Sequence, residues 1–135
     1  QRELENQSLN TSKKVRVLSY TDRVAELMEA ADFIITKPGG MTVSEALVKE
    51  LPILINSPLP GQEEKNAHFL VNSGVAARIF NGDNLDSIIC QLMDNPYRIK
   101  HMKEMARYLA KPYSARHIVS LLEKLTSEKK PAVYL

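Results

Sequence analysis

Short apolar runs alternate with stripes of apolar residues at helical spacing along the first two thirds of the chain. Four runs, at 15–19, 33–35, 53–55 and 75–80, lack the strict apolar–polar alternation of a half-exposed strand. Continuous apolar strands separated by helices of about ten residues are typical of a parallel sheet covered on both faces. The pattern therefore predicts an α/β fold, a Rossmann-like parallel sheet with helices on both faces.

The helical stripes continue through the rest of the chain. Gly74 is predicted to cap the helix that opens at Gln62, and Pro96 to end the helix that carries Leu85 and Leu92. Two further helices are predicted between Tyr97 and Lys124. We expect their buried faces to consist of Met102, Met105, Ala106 and Leu109 on the first, and of Ile118, Leu121, Leu122 and Leu125 on the second.

Length and composition favour one domain over residues 1–135. Hydrophobic residues make up 44% and charged residues 25% of the 135 residues, which is close to the soluble globular average. We find no 18-residue apolar window and no secretory leader, and therefore expect a cytoplasmic protein. The single cysteine, Cys90, is predicted to be a buried thiol. The three histidines lack metal-ligand spacing, and no metal site is expected.

The charge balance argues against a nucleic-acid partner. Eighteen Lys and Arg residues against sixteen Asp and Glu residues give a net charge of +2, far below the excess of a nucleic-acid-binding domain. One local cluster of positive charge falls on a single predicted helix face: Lys100, Lys103, Arg107 and Lys111. A solvated surface is the favoured interpretation, and a peripheral contact with acidic lipid head groups is the alternative.

The stretch 37–46, KPGGMTVSEA, joins a predicted strand to a predicted helix. Thr42 and Glu45 match a capping box, and Gly39 and Gly40 are expected to permit positive φ or the close approach of a ligand. A helix N-terminus at the carboxyl end of a parallel strand suits a phosphate or diphosphate. The P-loop, dinucleotide and serine-hydrolase motifs are not found in the sequence. The stretch predicts a phosphate site combined with a helix cap.

Three other features lie where predicted strands give way to helices or loops. Glu45 would repel a diphosphate, but its two oxygens suit a ribose diol. Gln62, Glu63 and Asn66 lie around one helical turn and could bind several sugar hydroxyls, although acidic residues also stabilise a first turn through the helix dipole. The segment 19–22, Ser-Tyr-Thr-Asp, could flank a flat base.

These segments together resemble a known enzyme family. Residues 17–20, 30–32, 37–46, 51–52 and 60–67 are similar to the C-terminal domain of diacylglycerol glycosyltransferases, the monogalactosyldiacylglycerol synthases and processive diacylglycerol glucosyltransferases. The sequence resembles more remotely the N-acetylglucosaminyltransferase that acts on the lipid precursor of peptidoglycan. The resemblance is clear from Val15 to about Ala77 and looser beyond. It implies a GT-B architecture, in which the C-terminal of two Rossmann-like domains holds a UDP-sugar.

The resemblance also implies a role for each matching residue. Gly39, Gly40, Met41 and Thr42 would contact the diphosphate and Glu45 the ribose; the sugar hydroxyls would meet Gln62, Glu63 and Asn66; and uracil would lie beside Tyr20 and Thr21. The implied reaction is a metal-independent, inverting transfer of a hexose from UDP-glucose or UDP-galactose to a lipid acceptor such as diacylglycerol. No cofactor is implied beyond the UDP-sugar substrate.

The sequence departs from the family pattern in two respects. It has no counterpart of the N-terminal domain, which carries the acceptor groove and the catalytic base, nor of the first strand and glycine loop of the C-terminal domain. We therefore expect a domain fragment that is inactive alone. A natural donor-binding subunit of a two-chain glycosyltransferase is an alternative. A UDP-sugar epimerase of the same architecture is a less favoured one, because it resembles the segment 60–63 less well.

Overall fold

The computed structural model of the chain describes residues 17–127, which form a three-stranded parallel sheet and six helices. In chain order they are α1 (Val24–Ala30), β1 (Ile34–Thr36), α2 (Gly40–Val48), β2 (Ile53–Asn56), α3 (Gln62–Asn72), β3 (Ala76–Ile79), α4 (Leu85–Met93), α5 (Pro96–Leu109) and α6 (Ser114–Ser127). The strands lie in the order β1-β2-β3. The predicted parallel α/β fold is confirmed.

The central strand β2 explains why its sequence is apolar without alternation. Ile53, Leu54 and Ile55 are all fully buried, but they point to opposite faces of the sheet. Ile53 and Ile55 belong to a core cluster with residues of α2 and α3, whereas Leu54 packs with Leu92 of α4 and Met102 of α5. Helices therefore cover both faces, as the continuous apolar run predicts.

Two helices, α2 and α3, end in backbone hydrogen-bonded caps that contain a residue with positive φ. The N–H of Gly74 donates to Val71 O and the N–H of Val75 to Leu70 O, which completes a Schellman motif with Gly74 at φ 74°. The predicted glycine cap of α3 is confirmed. The same pair of bonds ends α2, but there Glu50 takes the left-handed position at φ 54°, which is unusual for a residue with a Cβ.

Two sequence predictions differ from the structure. The strand predicted at 15–19 is not formed at residues 17–19, and Val15 and Arg16 lie outside the described residues. Cys90 is exposed rather than buried, because α4 buries only Leu92 and half-buries Ile88 and Ile89. The spacing of apolar residues identified the helix, but the width of the face that its neighbours cover decided the exposure of the thiol.

The last helix also differs from its predicted burial. α6 forms as expected, yet every one of its residues is exposed, including the predicted stripe of Ile118, Leu121, Leu122 and Leu125. By contrast, α5 buries Met102 and Ala106 and half-buries Met105 and Leu109. No helix among residues 17–127 is long and apolar enough to cross a membrane.

Candidate functional site

The turn between β1 and α2 presents unpaired backbone donors at the carboxyl edge of the sheet. α2 begins at Gly40, with Gly39 as its N-cap and no side-chain cap. Its first internal acceptor is Gly39 O, which takes the N–H of Val43 at 2.9 Å. The N–H groups of Gly40, Met41 and Thr42 donate to no residue within 17–127, and they form the positive end of the helix dipole. Such an end can bind an anion.

The predicted capping box at Thr42 is wrong. Thr42 lies inside the helix rather than at its N-cap, and no hydrogen bond joins it to Glu45 among the described residues. Instead, Ser44 Oγ donates to Gly40 O at 2.8 Å. The helix starts three residues earlier than the box requires, because Gly40 already has helical geometry and the extended Gly39 is the N-cap. Glu45 is therefore not engaged in a cap.

Gly39 and Gly40 leave space around the N-terminus of α2, and neither has a strained backbone conformation. Neither residue has positive φ, so that part of the prediction is also wrong. A Cβ at either position would meet no atom within 4 Å. Glycine at 39 and 40 therefore leaves the backbone donors of the helix terminus open to close approach, which is the other part of the prediction.

Glu45 is exposed and lines a cavity of about 330 Å³ between α1, α2 and the connection from α5 to α6. Met28 of α1 and Leu47 of α2 contribute apolar lining, and Lys111 and Ser114 contribute polar groups. The carboxylate lies one turn into α2 from the free N–H groups. It is therefore set back from the anion-binding end, where it can accept hydrogen bonds from hydroxyl groups.

The second loop, between β2 and α3, is held by its own acidic side chain. Gly61 is the N-cap of α3 at φ 101°, a conformation that favours glycine. Glu63 accepts a hydrogen bond from Leu59 N–H at 2.8 Å through one carboxylate oxygen. This hydrogen bond stabilises the loop and uses one oxygen of the Glu63 carboxylate. Gln62 is exposed and its side chain bonds to no described residue.

Asn66 joins the two loops. Its Nδ2 donates to the carbonyl of Pro38 at 2.9 Å, and Pro38 is fully buried. This bond brings the start of α3 beside the turn that holds Gly39 and Gly40. The sequence assigned Asn66 only to ligand binding, whereas the structure shows it positioning the loop. No local pattern signals this bond, because Asn66 and Pro38 lie 28 residues apart in the sequence.

Tyr20 and Thr21 lie in the irregular segment before α1. Tyr20 is exposed, and Thr21 Oγ1 accepts the N–H of Arg23 at 3.0 Å, where the chain turns into α1. No hydrogen bond among the described residues connects this segment to the two loops. The structure thus brings Asn66 beside the turn at residues 38–40, while Glu45 lines a separate cavity against α1.

The basic face on α5 is partly neutralised. Arg107 forms a two-point contact with Glu50, with Nε–Oε1 at 2.8 Å and Nη2–Oε2 at 2.6 Å. This hydrogen bond, with the attraction of the charges, holds the pKa of Glu50 below its ordinary value of 4.5. Lys103 adds a further attraction to Glu50. The pairing offsets one of the four positive charges on this face.

The Glu50–Arg107 contact predicts a specific pH dependence. Because folding lowers the pKa of Glu50, its stabilising effect is present above pH 4.5 and is lost as the pH falls through the folded pKa. Glu50→Gln should therefore be less stable than the unmodified chain near pH 7 and should approach it on acidification. Urea unfolding at several pH values measures this. Glu123→Gln on α6 is the control, and a stability gap at Glu50 that is constant with pH would contradict the prediction.

The sequence assigns this fold to a class of glycosyltransferase domains. The sequence matches the glycosyltransferase family 28 C-terminal domain over residues 1–122. The chain belongs to this family, and the resemblance predicted from the loop sequences is confirmed.

Curated relatives of this chain are diacylglycerol glucosyltransferases. The chain is 31% identical over 106 residues to the processive diacylglycerol beta-glucosyltransferase of Bacillus pumilus (strain SAFR-032), an alignment that covers 78% of this chain and 28% of the relative. It is 32% identical over 119 residues to the enzyme of the same name from Bacillus cereus (strain G9842), covering 88% and 30%. The chain spans less than a third of the length of these relatives.

Solved structures agree with the fold. The crystal structure of Acinetobacter baumannii MurG superposes with a TM-score of 0.67 at 26% identity, over 92% of this chain and 39% of that one. A glycotransferase of kitacinnamycin superposes with a TM-score of 0.62 at 19% identity, over 87% and 33%, and supports the fold alone. The predicted assignment to one domain of a GT-B glycosyltransferase is confirmed.

Proposed function

We propose that this chain is the UDP-sugar-binding domain of an inverting, metal-independent glycosyltransferase that transfers a hexose to a lipid acceptor such as diacylglycerol. The main support for this proposal is the start of α2. Three N–H groups there have no partner among residues 17–127, and two glycines leave room for a ligand to approach them. The names of the curated relatives supply the class of reaction and acceptor. They also favour a transferase over an epimerase.

The diphosphate of the donor binds at the N-terminus of α2. The N–H groups of Gly40, Met41 and Thr42 donate to its oxygens, and Gly39 allows the close approach. The ribose hydroxyls donate to Glu45, whose carboxylate is free of the capping bond that the sequence suggested. Uracil lies beside Tyr20 and Thr21.

The sugar hydroxyls meet the start of α3. Gln62 offers both a donor and an acceptor and is exposed. Glu63 has one carboxylate oxygen left after its bond to Leu59 N–H, and Asn66 has its carbonyl oxygen left after its bond to Pro38. Glu63 and Asn66 therefore each stabilise a loop and keep an acceptor for the ligand.

The reaction requires groups beyond these residues. An acceptor hydroxyl loses its proton to a base and attacks the anomeric carbon, and UDP departs toward the helix N-terminus. The N–H groups there stabilise the developing negative charge, which is preorganised electrostatic catalysis. We assign the base and the acceptor groove to an N-terminal domain of the whole protein, and no cofactor is needed.

The test is a titration of the chain with UDP-glucose. We expect weak binding, with a Kd on the order of millimolar, and no glycolipid formation in the presence of diacylglycerol. Glu45→Gln should weaken UDP binding by roughly fivefold, about 1 kcal/mol for a charged hydrogen bond to ribose, and leave the unfolding midpoint nearly unchanged. NMR titration and thermal melting measure the two effects.

Glu26→Gln on α1 is the matched control, since it makes the same change on a surface outside both loops. The proposal is refuted if the chain transfers sugar without a partner. It is also refuted if Glu45→Gln and Glu26→Gln bind UDP as tightly as the unmodified chain does.

A further inference from the structure

The central strand β2 is followed directly by a residue in the left-handed backbone region. Ser57 has φ 45°. Among residues 17–127 the other non-glycine residue with positive φ is Glu50, which closes the C-terminal cap of α2. Ser57 belongs to no helix cap. Strained residues of this kind cluster at ligand sites, so its surroundings were compared with what a ligand would need.

The left-handed turn at Ser57 ends the ladder between β2 and β3. Ile53 N–H donates to Val75 O at 3.2 Å, and the register continues along both strands. Alternate residues of a parallel strand bond to the same neighbour, so the ladder would next bring Ser57 N–H to Ile79 O. Ser57 N–H instead has no hydrogen-bond partner among residues 17–127. A backbone donor is thus free at the end of β2.

The other side of β2 ends at a proline. Thr36 of β1 pairs with Ile55 of β2, so a continued ladder would have residue 38 donate to Asn56 O. That residue is Pro38, which has no N–H. Asn56 O accepts no backbone hydrogen bond within residues 17–127. A backbone acceptor is therefore free beside the donor of Ser57.

The side chain of Asn56 adds a second donor. Ser57 Oγ donates to Asn56 Oδ1 at 3.0 Å, which leaves Nδ2 of this exposed amide without a partner among the described residues. The strand end thus offers one acceptor and two kinds of donor. A hydroxyl group both donates and accepts, whereas an anion only accepts. The mixed set therefore suits a ligand with several hydroxyl groups.

The position of this set also suits a ligand. It lies at the carboxyl end of the central strand, the edge where parallel α/β sheets bind ligands. Asn56 continues the face of β2 that carries Leu54, whereas α3 packs on the opposite face. Asn66 of α3 is bonded to Pro38 beside the strand end. A ligand over the end of β2 would lie between Asn56 and the start of α3.

We propose that Asn56 and Ser57 are further binding residues for the donor hexose, an inference that rests on the proposed function. Asn56 O and Nδ2 and the N–H of Ser57 bind hexose hydroxyls from the side of the sheet opposite to Gln62 and Glu63. Ser57 Oγ is a positioning group, because its bond to Oδ1 turns the Asn56 amide donor toward the ligand. The left-handed conformation of Ser57 keeps its N–H out of the β-ladder.

The experiment is an NMR titration of the whole 135-residue chain with UDP and, separately, with UDP-glucose. Both ligands should shift the backbone amide signals of Gly40, Met41 and Thr42, because both carry the diphosphate. Only UDP-glucose should shift the side-chain amide of Asn56 and the backbone amide of Ser57. The difference between the two ligands isolates the hexose.

Asn56→Ala should weaken UDP-glucose binding by roughly fivefold, the size expected for lost hydrogen bonds to a neutral sugar. The affinity for UDP should not change. Asn72→Ala, the same substitution at the exposed C-terminal end of α3, is the matched control and should leave both affinities unchanged.

Ser57→Gly separates the positioning role from stability. Glycine adopts positive φ without strain, so the unfolding midpoint should rise by a few degrees. The variant lacks the Oγ that holds the Asn56 amide, and UDP-glucose should bind roughly threefold more weakly while UDP binds as before. A residue with a purely structural role would not combine higher stability with a selective loss of hexose binding.

The outcomes distinguish this inference from the proposed function. If UDP shifts the Gly40 amide but Asn56→Ala and Asn72→Ala bind UDP-glucose equally, the hexose contacts at β2 are wrong and the diphosphate site stands. An Asn56 amide that responds equally to UDP and UDP-glucose has the same meaning. If neither ligand shifts the amides of residues 40–42, the proposed function is wrong and this inference fails with it. Unchanged UDP-glucose affinity in Ser57→Gly would refute the positioning role.

Discussion

Leu54→Ala should lower the free energy of unfolding by about 2 to 5 kcal/mol, the range for leucine truncation in a packed core. Leu54 is fully buried in the central strand β2 and packs with Leu92 and Met102 on one face of the sheet. Strands lie on both sides of it, so the backbone has little freedom to collapse into the cavity that the substitution creates. Urea denaturation followed by circular dichroism measures the loss.

Leu122→Ala is the matched control for Leu54→Ala. It removes the same atoms from α6, where Leu122 is 56% exposed, and should change the free energy of unfolding by no more than about 0.5 kcal/mol. Equal losses at the two positions would contradict the arrangement described, because they would mean that α6 buries its apolar stripe against the rest of the chain.

Gly40→Asp should have opposite effects on ligand binding and stability. A carboxylate at the start of α2 would repel a diphosphate by about 2 kcal/mol at an intermediate effective dielectric, or roughly 30-fold in Kd for UDP. The fold should tolerate the change, since Gly40 is helical and a Cβ there meets no atom within 4 Å. An acid in the first turn should even stabilise the helix, by about 0.3 to 1 kcal/mol. NMR titration with UDP and thermal melting test both effects.

Gly40→Asn isolates the charge, because asparagine has the shape of aspartate without its negative charge. It should retain much more of the UDP affinity than Gly40→Asp does. If the two variants lose UDP binding equally, steric exclusion rather than repulsion is responsible. If neither loses it, the diphosphate does not bind at the start of α2.

Much of the site could be predicted from the sequence, but the roles of individual side chains could not. Strand, glycine pair and helix were identified at 33–48 because apolar runs and glycines are local signals. The exact helix start was wrong, since a capping box is decided by which carbonyl accepts the first helical bond, here Gly39 O. Glu63 and Asn66 each hold a loop as well as offering an acceptor to the ligand. This loop role depends on the distances from Glu63 to Leu59 N–H and from Asn66 to Pro38 O, which the sequence does not specify.

The sequence by itself determined the fold class, the order of β1, β2 and β3 along the chain, the helices that alternate with them, and the family. These follow from apolar periodicity and short loop motifs, which act over a few residues. Only the tertiary structure decided which predicted apolar faces are buried, how α3 is tied to the turn before α2, and that β3 lies at the edge of the sheet. Burial and pairing depend on residues distant in the chain, so local patterns cannot specify them.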